Sequence, residues 1–349
     1  MQPAPSPPGG ALIWRHAMNK KSSMQQDRRR VLLTVSALAL GAATLAGAVQ
    51  AQTVNGPIRI IVPFTPGTTL DSVSRVIGPV IARRMGQSVI TENKPGASGI
   101  IGMDATAKAA PNGQTIMVST NTSLTLPLFY KTVPFDVLKS FQPLGMVGTN
   151  NFALVVHPSV PASNPKELIA YLKANPTVGT YASPGNGTLH HLAMEKFIHT
   201  TGVTIKHIPY KGSAGAISDV LGGHVQMMVM PLHLAVPLRA DGKLKIIGST
   251  RAQREPLYKD VVPLQEGGVA GYDEDAWVGV WGPKAMSPAL VASYNAAIRE
   301  ALASAEVKEA LAKQGLSLMP GTPDDLMRVA NAEYLKWVTV VKNAQIVAE

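Results

Sequence analysis

The chain has 349 residues, no cysteine, and 32 Lys and Arg against 22 Asp and Glu, for a formal net charge of +10. This length predicts two domains with buried cores, and the lack of cysteine excludes disulfides, thiolate metal sites and cysteine nucleophiles. Charged residues make up 15% of the sequence and hydrophobic residues 46%, so the bulk of the chain is not disordered. An excess of positive charge suits nucleic acids or membrane surfaces, so its position along the chain has to be determined first.

The first 51 residues have the parts of a secretory signal peptide. Residues 18–30 are basic, residues 31–49 are apolar and rich in small side chains, and Ala51 ends a sequence typical of signal peptidase sites. The arginines at 28–30 resemble a twin-arginine signal, although a Sec signal would look similar. A retained membrane anchor is the alternative to a signal peptide, but it would need about 20 strongly apolar residues. Met18 is a second candidate start codon, and translation from it would remove the Pro-rich residues 1–17. We predict export to the periplasm with cleavage near Ala51.

Removal of this segment halves the net charge. It carries six basic residues and one acid, which leaves 26 basic and 21 acidic residues and a net charge of +5. No run of more than two basic residues remains. We therefore predict no nucleic-acid partner, and we expect a monomer.

After residue 51, short strand-like runs alternate with helical stretches. The apolar run Ile58–Val62 is followed by a turn and by an amphipathic helix over 70–85. Further strand-like runs lie at 88–92, 115–119, 153–157, 179–182, 206–208, 225–229, 244–248 and 277–282, and further helices at 100–109, 165–175, 188–200, 213–222 and 232–240. This alternation predicts an α/β fold with mostly parallel sheets.

The C-terminal part, residues 287–349, has the pattern of three helices, with helix-start signals at Ser287-Pro288 and Thr322-Pro323. Such a helical tail commonly packs back on the first α/β block. We predict two lobes, with the chain crossing between them near 153–158 and 275–281. Lobe 1 would contain residues 52–154 and 279–349, and lobe 2 residues 155–278.

The turn from Pro63 to Asp71 is the first candidate binding site. Ligands of α/β sheets bind at the carboxyl ends of strands, where free N–H groups and the dipole of the next helix favour anions. Gly67 permits close approach, and Thr68 and Thr69 add hydroxyl groups. The turn lacks the glycine pattern of a nucleotide-binding loop, and an ordinary strand-to-helix turn is the alternative.

Two more glycine-rich junctions, at 92–102 and 181–192, also combine Ser, Thr and Asn side chains with a helix start. Each alone is a weak signal. Together with the first turn they predict a cleft that binds an anion through helix dipoles and neutral donors.

Enzyme and metal sites have little support. Gly96–Ile100 departs from the G-x-S-x-G nucleophile motif. His191, Glu195 and His199 share one helix, but its rise puts the outer pair about 12 Å apart, too far for one metal ion. We expect His190 and His191 to be helix-start donors or packing residues, and no carboxylate pair is a candidate acid and base. We predict no catalytic residue, no metal and no cofactor.

Six motifs occur in order between Ile58 and Trp337. They are Pro63-Phe64-x-Pro66-Gly67-x-x-x-Asp71, Glu92-Asn93-Lys94-Pro95-Gly96-Ala97-x-Gly99-x-x-Gly102, Lys108-Ala109-Ala110-Pro111-x-Gly113, Gly185-x-Gly187-Thr188-x-x-His191-Leu192-Ala193, Tyr210-Lys211-Gly212 and Gly222-Gly223-x-Val225. Together they resemble the Bug family of periplasmic solute-binding receptors, which are associated with tripartite tricarboxylate transporters. The resemblance implies a type II periplasmic-binding-protein fold, in which two α/β lobes close on a small carboxylate.

The resemblance also implies which residues contact the ligand. In lobe 1 they would be Phe64, Thr65, Gly67, Thr68, Asp71, Thr120, Asn121 and Thr122, and in lobe 2 Ser183, Gly187, Thr188 and His191. The family often has Asp near the position of Met230 and Thr where Leu70 stands. We therefore add Met230 to the site, and we expect an aromatic or aliphatic carboxylate rather than a dicarboxylate with an amino group.

These observations predict an exported receptor that captures a small carboxylate between its lobes and delivers it to a tripartite tricarboxylate-type transporter. A periplasmic ligand sensor that signals to a membrane histidine kinase is an alternative. An exported hydrolase is a more distant one.

Overall fold

A computed structural model describes Gln2 and residues 54–343 of the chain. Apart from Gln2, the predicted export signal lies outside the described residues. The described residues form a six-stranded sheet, here called sheet 1, and a five-stranded sheet, sheet 2. None of the helices in this part of the chain combines the length and the apolar run that crossing a bilayer requires.

Strands and helices alternate along most of the chain. The strands are β1 (Ile58–Val62), β2 (Val89–Asn93), β3 (Thr115–Thr120), β4 (Phe141–Asn150), β5 (Phe152–Val156), β6 (Thr180–Ser183), β7 (Lys206–Pro209), β8 (Met227–Pro231), β9 (Lys245–Ser249), β10 (Ala276–Pro283) and β11 (Leu316–Gly321). The helices are α1 (Thr69–Met85), α2 (Ile100–Ala107), α3 (Thr122–Phe129), α4 (Pro165–Ala174), α5 (Leu189–Thr201), α6 (Ser213–Leu221), α7 (Leu232–Ala240), α8 (Pro288–Ala303), α9 (Ala305–Lys313) and α10 (Pro323–Asn343). A short 3₁₀ turn at Ala97–Gly99 precedes α2.

Both sheets are mixed. Sheet 1 has the order β11-β4-β10-β3-β1-β2, in which β1 is parallel to β2 and β3, and the pairings of β10 and β11 are antiparallel. Sheet 2 has the order β7-β6-β8-β5-β9, in which β5 is antiparallel to both of its neighbours. The predicted two-lobe α/β fold is confirmed, and the sheets are less parallel than expected because β4, β5, β10 and β11 run against their neighbours.

Alternating strand residues supply a core on each face of each sheet. In β1, Ile58 and Ile60 pack in one buried cluster with Val73 of α1, whereas Ile61 packs in the opposite cluster with Trp281. This is the period of two expected of a strand that is covered on both faces. We call the part built on sheet 1 lobe 1 and the part built on sheet 2 lobe 2.

Within residues 54–343, two segments connect sheet 1 to sheet 2, and these crossings are hydrogen-bonded to each other. The first lies between Asn150 of β4 and Phe152 of β5, and the second between β9 and β10. Thr250 N donates to Phe152 O at 2.9 Å, and Glu274 N donates to Thr250 O at 2.9 Å. The two crossing segments are therefore connected, and we call them together the hinge.

Two helices also pack in both lobes. Leu124 of α3 lies in a cluster of lobe 1, whereas Phe129 of the same helix lies in the main cluster of lobe 2. In α10, Leu326 and Trp337 are divided between the same two clusters. The predicted lobe boundaries at 154 and 278 fall inside β5 and β10, and they stay a prediction because α3 and α10 contribute to both cores.

Candidate functional site

A cavity of about 270 Å³ is lined by residues of both lobes. Lobe 1 contributes six polar residues, namely Thr65, Thr68, Thr69, Thr120, Thr122 and Asn150, and six others, namely Phe64, Pro66, Gly67, Leu70, Ala276 and Val278. Lobe 2 contributes mainly apolar groups, among them Phe152, Leu189, Ile217, Met228 and Leu234, together with Thr188, His190 and Ser213. The cavity therefore has a hydroxyl-rich side and an apolar side.

Four helices begin with a residue that lines the cavity, namely α1, α3, α5 and α6. The first N–H groups of a helix have no partner within it, and the dipole adds partial positive charge at that end. Thr68 Oγ1 accepts only from Asp71 N in α1, and Gly212 before α6 provides no side-chain cap. The arrangement therefore offers an anion several N–H groups without an ionised partner.

Asp71 stabilises the conformation of the loop from Pro63 to Asp71, here called the first loop. It is 5% exposed, and it accepts hydrogen bonds from Gly67 N at 3.0 Å and from Arg75 Nε at 3.1 Å. Burial opposes ionisation of this carboxyl, but the bonds from Arg75 and Gly67 outweigh it and lower its pKa. Gly67 has a φ of +82°, a conformation that suits glycine. Asp71 is not among the lining residues, so its contacts fix the loop rather than reach the cavity.

Asn150 at the end of β4 has an unused polar atom. It is 2% exposed, its Nδ2 donates to Thr69 Oγ1 at 3.0 Å, and its Oδ1 has no hydrogen-bond partner among the described residues. The Thr69 hydroxyl can donate as well as accept, so the amide can turn over and keep this bond. Because Asn150 lines the cavity, its amide is a candidate acceptor or N–H donor for a ligand.

Asn121 forms hydrogen bonds with the second crossing segment and with α10, and it does not line the cavity. It is 1% exposed, and its Nδ2 donates to Asp275 O at 2.9 Å and to Glu333 Oε1 at 3.3 Å. Thr120 Oγ1 donates to Asn121 Oδ1 at 3.1 Å. The side chain therefore joins the start of α3 to the second crossing and to α10.

Ser183, Gly187 and His191 are buried in and beside the loop between β6 and α5. His191 Nδ1 accepts from Gly187 N at 3.1 Å, and its ring stacks on His207 with centroids 4.2 Å apart. Burial, with His207 as a second cause, lowers the pKa of His191 to about 3, so the ring is neutral at neutral pH. Ser183 Oγ lies 2.7 Å from His207 Nε2. Ser183 is fully buried, and within the described part of the chain no acid completes a triad with this pair.

The predicted site residues thus divide into two groups. Those that line the cavity are Phe64, Thr65, Gly67, Thr68, Thr120, Thr122 and Thr188. Those that do not are Asp71, Asn121, Ser183, Gly187, His191 and Met230. Met230 is 1% exposed in the core of lobe 2, and Met228, two residues earlier on the same face of β8, lines the cavity in its place.

Several lining residues have no local signal in the sequence. Asn150, Phe152, Ile217 and Leu234 lie in four different elements, and only the crossing of the chain brings them together. Ser213 follows the Tyr210-Lys211-Gly212 motif, which would have marked it. Among the described residues, no group of three or more His, Asp or Glu is placed to hold a metal ion.

Residues 73–346 match the sequence model of the tripartite tricarboxylate transporter family receptor, TctC. The chain is 34% identical to Protein BugT of Bordetella pertussis over 314 residues, which cover 89% of this chain and 96% of BugT. It is also similar to a protein of R. palustris solved with adipate, with a TM-score of 0.81, 30% identity and coverage of 84% of this chain and 99% of that one. MatC from Rhodopseudomonas palustris, solved with bound malate, gives a TM-score of 0.76 and 25% identity and covers 82% of this chain and 98% of its own.

Proposed function

Because the chain belongs to the tripartite tricarboxylate transporter receptor family, we propose that it captures a small carboxylate in the cavity between its lobes. The observation that carries this proposal is the lining itself. It collects four helix starts and six threonines, and the described residues that line it include neither Asp nor Glu. An anion is the ligand class that such a site stabilises.

The carboxylate would lie against lobe 1, near Thr68, Thr69 and Asn150. The N–H groups of the first turn of α1 are available there, and Asn150 can turn its amide to donate. Thr122 on α3 would add a hydroxyl from the same lobe. Adipate and malate in the two similar structures support a carboxylate as the ligand class.

Residues behind the cavity would act by holding the loops in place. We propose this role for Asp71, Asn121 and His191, whose hydrogen bonds all go to other protein groups. Phe64, Thr65, Gly67, Thr68, Thr120, Thr122 and Thr188 remain the proposed contact residues.

We further propose that the protein is exported to the periplasm and hands its ligand to the membrane subunits of a tripartite tricarboxylate-type transporter. The basic segment 18–30, the apolar run 31–49 and the cleavage sequence ending at Ala51 support export. Membership of the receptor family supports the transporter as the partner.

Asn150→Asp tests the ligand class. The mature protein is first screened against small carboxylates by thermal shift, since a ligand that binds only the folded state raises Tm. In the variant, a ligand carboxylate would face another at about 4 Å, which costs about 4 kcal/mol at an effective dielectric constant of ~20. We expect Kd, measured by calorimetry, to rise about a thousandfold for the tightest carboxylate.

Asn331→Asp is the matched control, because it makes the same chemical change at an exposed position of α10. We expect its Kd to equal that of the wild type. Equal carboxylate affinity in a folded Asn150→Asp protein would contradict the proposed site. A screen in which only uncharged or cationic compounds raise Tm would contradict the ligand class.

A further inference from the structure

We propose, resting on the proposed function, that the ligand is a monocarboxylate whose charged end lies against lobe 1 and whose apolar body lies against lobe 2. The two similar structures contain adipate and malate, which are both dicarboxylates. Two carboxylates need polar or cationic partners at both ends of the ligand, and the lobe 2 side of this cavity is mainly apolar.

Polar groups are divided unequally between the two sides of the cavity. All but one of the lining threonines belong to lobe 1, as does Asn150. The lobe 2 side is mainly apolar, with Phe152, Leu189, Ile217 and Met228 among its residues, and its polar side chains are Thr188, His190 and Ser213. A ligand with polar groups at both ends would therefore place one of them against a mainly apolar surface, where its polar partners would be the N–H groups at the starts of α5 and α6 and the hydroxyls of Thr188 and Ser213.

A second carboxylate would also lack a cation. The described residues that line the cavity include no Lys or Arg. Lys211 lines a separate cavity of about 20 Å³ that shares Phe64, Thr65 and Pro184 with the main one. The helix starts of lobe 2 would offer the second carboxylate only partial positive charge. Because a desolvated carboxylate without a cation is unfavourable, the second charge of a dicarboxylate would weaken binding.

His190 does not replace the missing cation. It lines the cavity and packs edge-on against Phe152, with ring centroids 5.1 Å apart. Burial lowers its pKa to about 4, so the imidazole is neutral at neutral pH. The His190–Phe152 pair therefore offers an aromatic surface rather than a charge.

Leu234 gives independent support for an apolar body. It is 36% exposed, and it is the one large hydrophobic side chain with substantial exposure, within residues 54–343, that also lines the cavity. An apolar ligand body would cover it and remove its surface from water. A second charged group at this place would not provide the favourable free energy of covering the Leu234 side chain with apolar surface.

Matched ligand pairs test the inference by calorimetry on the wild-type mature protein. Hexanoate and adipate have the same number of carbons and differ by one terminal carboxylate, and benzoate and terephthalate form an aromatic pair. We expect each monocarboxylate to bind at least about tenfold more tightly than its partner. From butanoate to hexanoate we expect affinity to rise by up to about fourfold for each buried methylene.

Leu234→Arg tests the position of the apolar body. The new guanidinium would pair with a second carboxylate, so we expect the ratio of adipate to hexanoate affinity to rise at least about tenfold. Leu257→Arg is the control, because Leu257 is 64% exposed and does not line the cavity. It should leave the ratio unchanged.

The outcomes separate this inference from the proposed function. Adipate binding more tightly than hexanoate in the wild type would overturn the monocarboxylate and leave carboxylate capture standing. A folded Leu234→Arg protein with the selectivity of Leu257→Arg would overturn the assignment of the apolar body to lobe 2. Failure of every carboxylate to bind would overturn both.

Discussion

His190→Leu should stabilise the protein in mild acid much more than at pH 7.5. The Nδ1 atom of His190 is buried without a hydrogen-bond partner among the described residues, and burial lowers the pKa of the ring to about 4 from an ordinary value of 6.5. The unfolded chain therefore binds a proton more readily than the folded one. Stability is fully present above about pH 6.5 and is lost as the pH falls toward 4.

The size of the effect follows from these two pKa values. Between pH 7.5 and pH 5 the difference in proton binding costs the folded state about 2 kcal/mol, as an upper limit because the ring lines the cavity and keeps partial exposure. Leucine has no such proton to bind. The gain from His190→Leu should thus be up to about 2 kcal/mol larger at pH 5 than at pH 7.5.

The assay is urea unfolding of wild type and variant at both pH values. Taking the difference between pH values cancels the packing change, which is independent of pH, and cancels the contributions of His191 and His207 that both proteins share. His199→Leu is the control, since it makes the same change at an exposed position of the same helix, and the pH-dependent gain of His190→Leu should exceed that of His199→Leu. Equal gains for His190→Leu at both pH values would refute the burial of an uncharged imidazole at this place.

Two further predictions concern the hinge and the first loop. Glu274 has no exposed side-chain surface and binds Lys196 Nζ at 2.5 Å and Lys336 Nζ at 2.6 Å. Glu274→Gln should lower the free energy of unfolding, measured by urea denaturation, by about 3 kcal/mol. A loss under about 1 kcal/mol would count against a shared buried ion network. Gly102→Ala would place a Cβ 2.8 Å from Pro63 Cα, so it should cost about 2 kcal/mol by the same assay and weaken carboxylate binding by displacing the first loop. Unchanged affinity in this variant would show that the loop tolerates the shift.

The elements that the sequence predicts well are those with local signals. The helix expected over 70–85 is α1, because its apolar residues recur on one face, Thr68 caps its start and Gly86 ends it with a φ of +65°. The parallel strand β1 is equally clear, since it is apolar throughout. Such signals depend on a few neighbouring residues, so no knowledge of the rest of the fold is needed.

The elements that were missed owe their structure to tertiary contacts. β4 contains Pro143, Gly145 and Gly148, and Gly148 is required because a Cβ there would lie 2.5 Å from Ser317 O of β11. β11 ends with Pro320-Gly321 and lies at the edge of sheet 1, where proline is tolerated. α3 contains Pro127 and is buried on nearly all sides, so it has no amphipathic period to detect.

The candidate site follows the same division. Loop residues such as Thr68, Thr120 and Thr188 could be predicted because strand-to-helix junctions are visible in the sequence. Ile217 and Leu234 could not, because they lie in the interior of amphipathic helices where an apolar residue ordinarily indicates core packing. Their role depends on which face of α6 and α7 meets the cleft.

On the proposed function, the division of the cavity between the lobes would link ligand recognition to lobe closure. Thr125 Oγ1 of α3 donates to Gly187 O at 2.6 Å, and Phe129 packs in the core of lobe 2, so the loop before α5 is connected to α3. A ligand shifts an equilibrium between open and closed forms only through contacts that the two forms do not share. A carboxylate alone would contact mainly the threonines and Asn150 of lobe 1. An apolar body would contact Leu234 and Ile217 of lobe 2, so on the proposed function it is the apolar body, more than the charge, that favours the closed form.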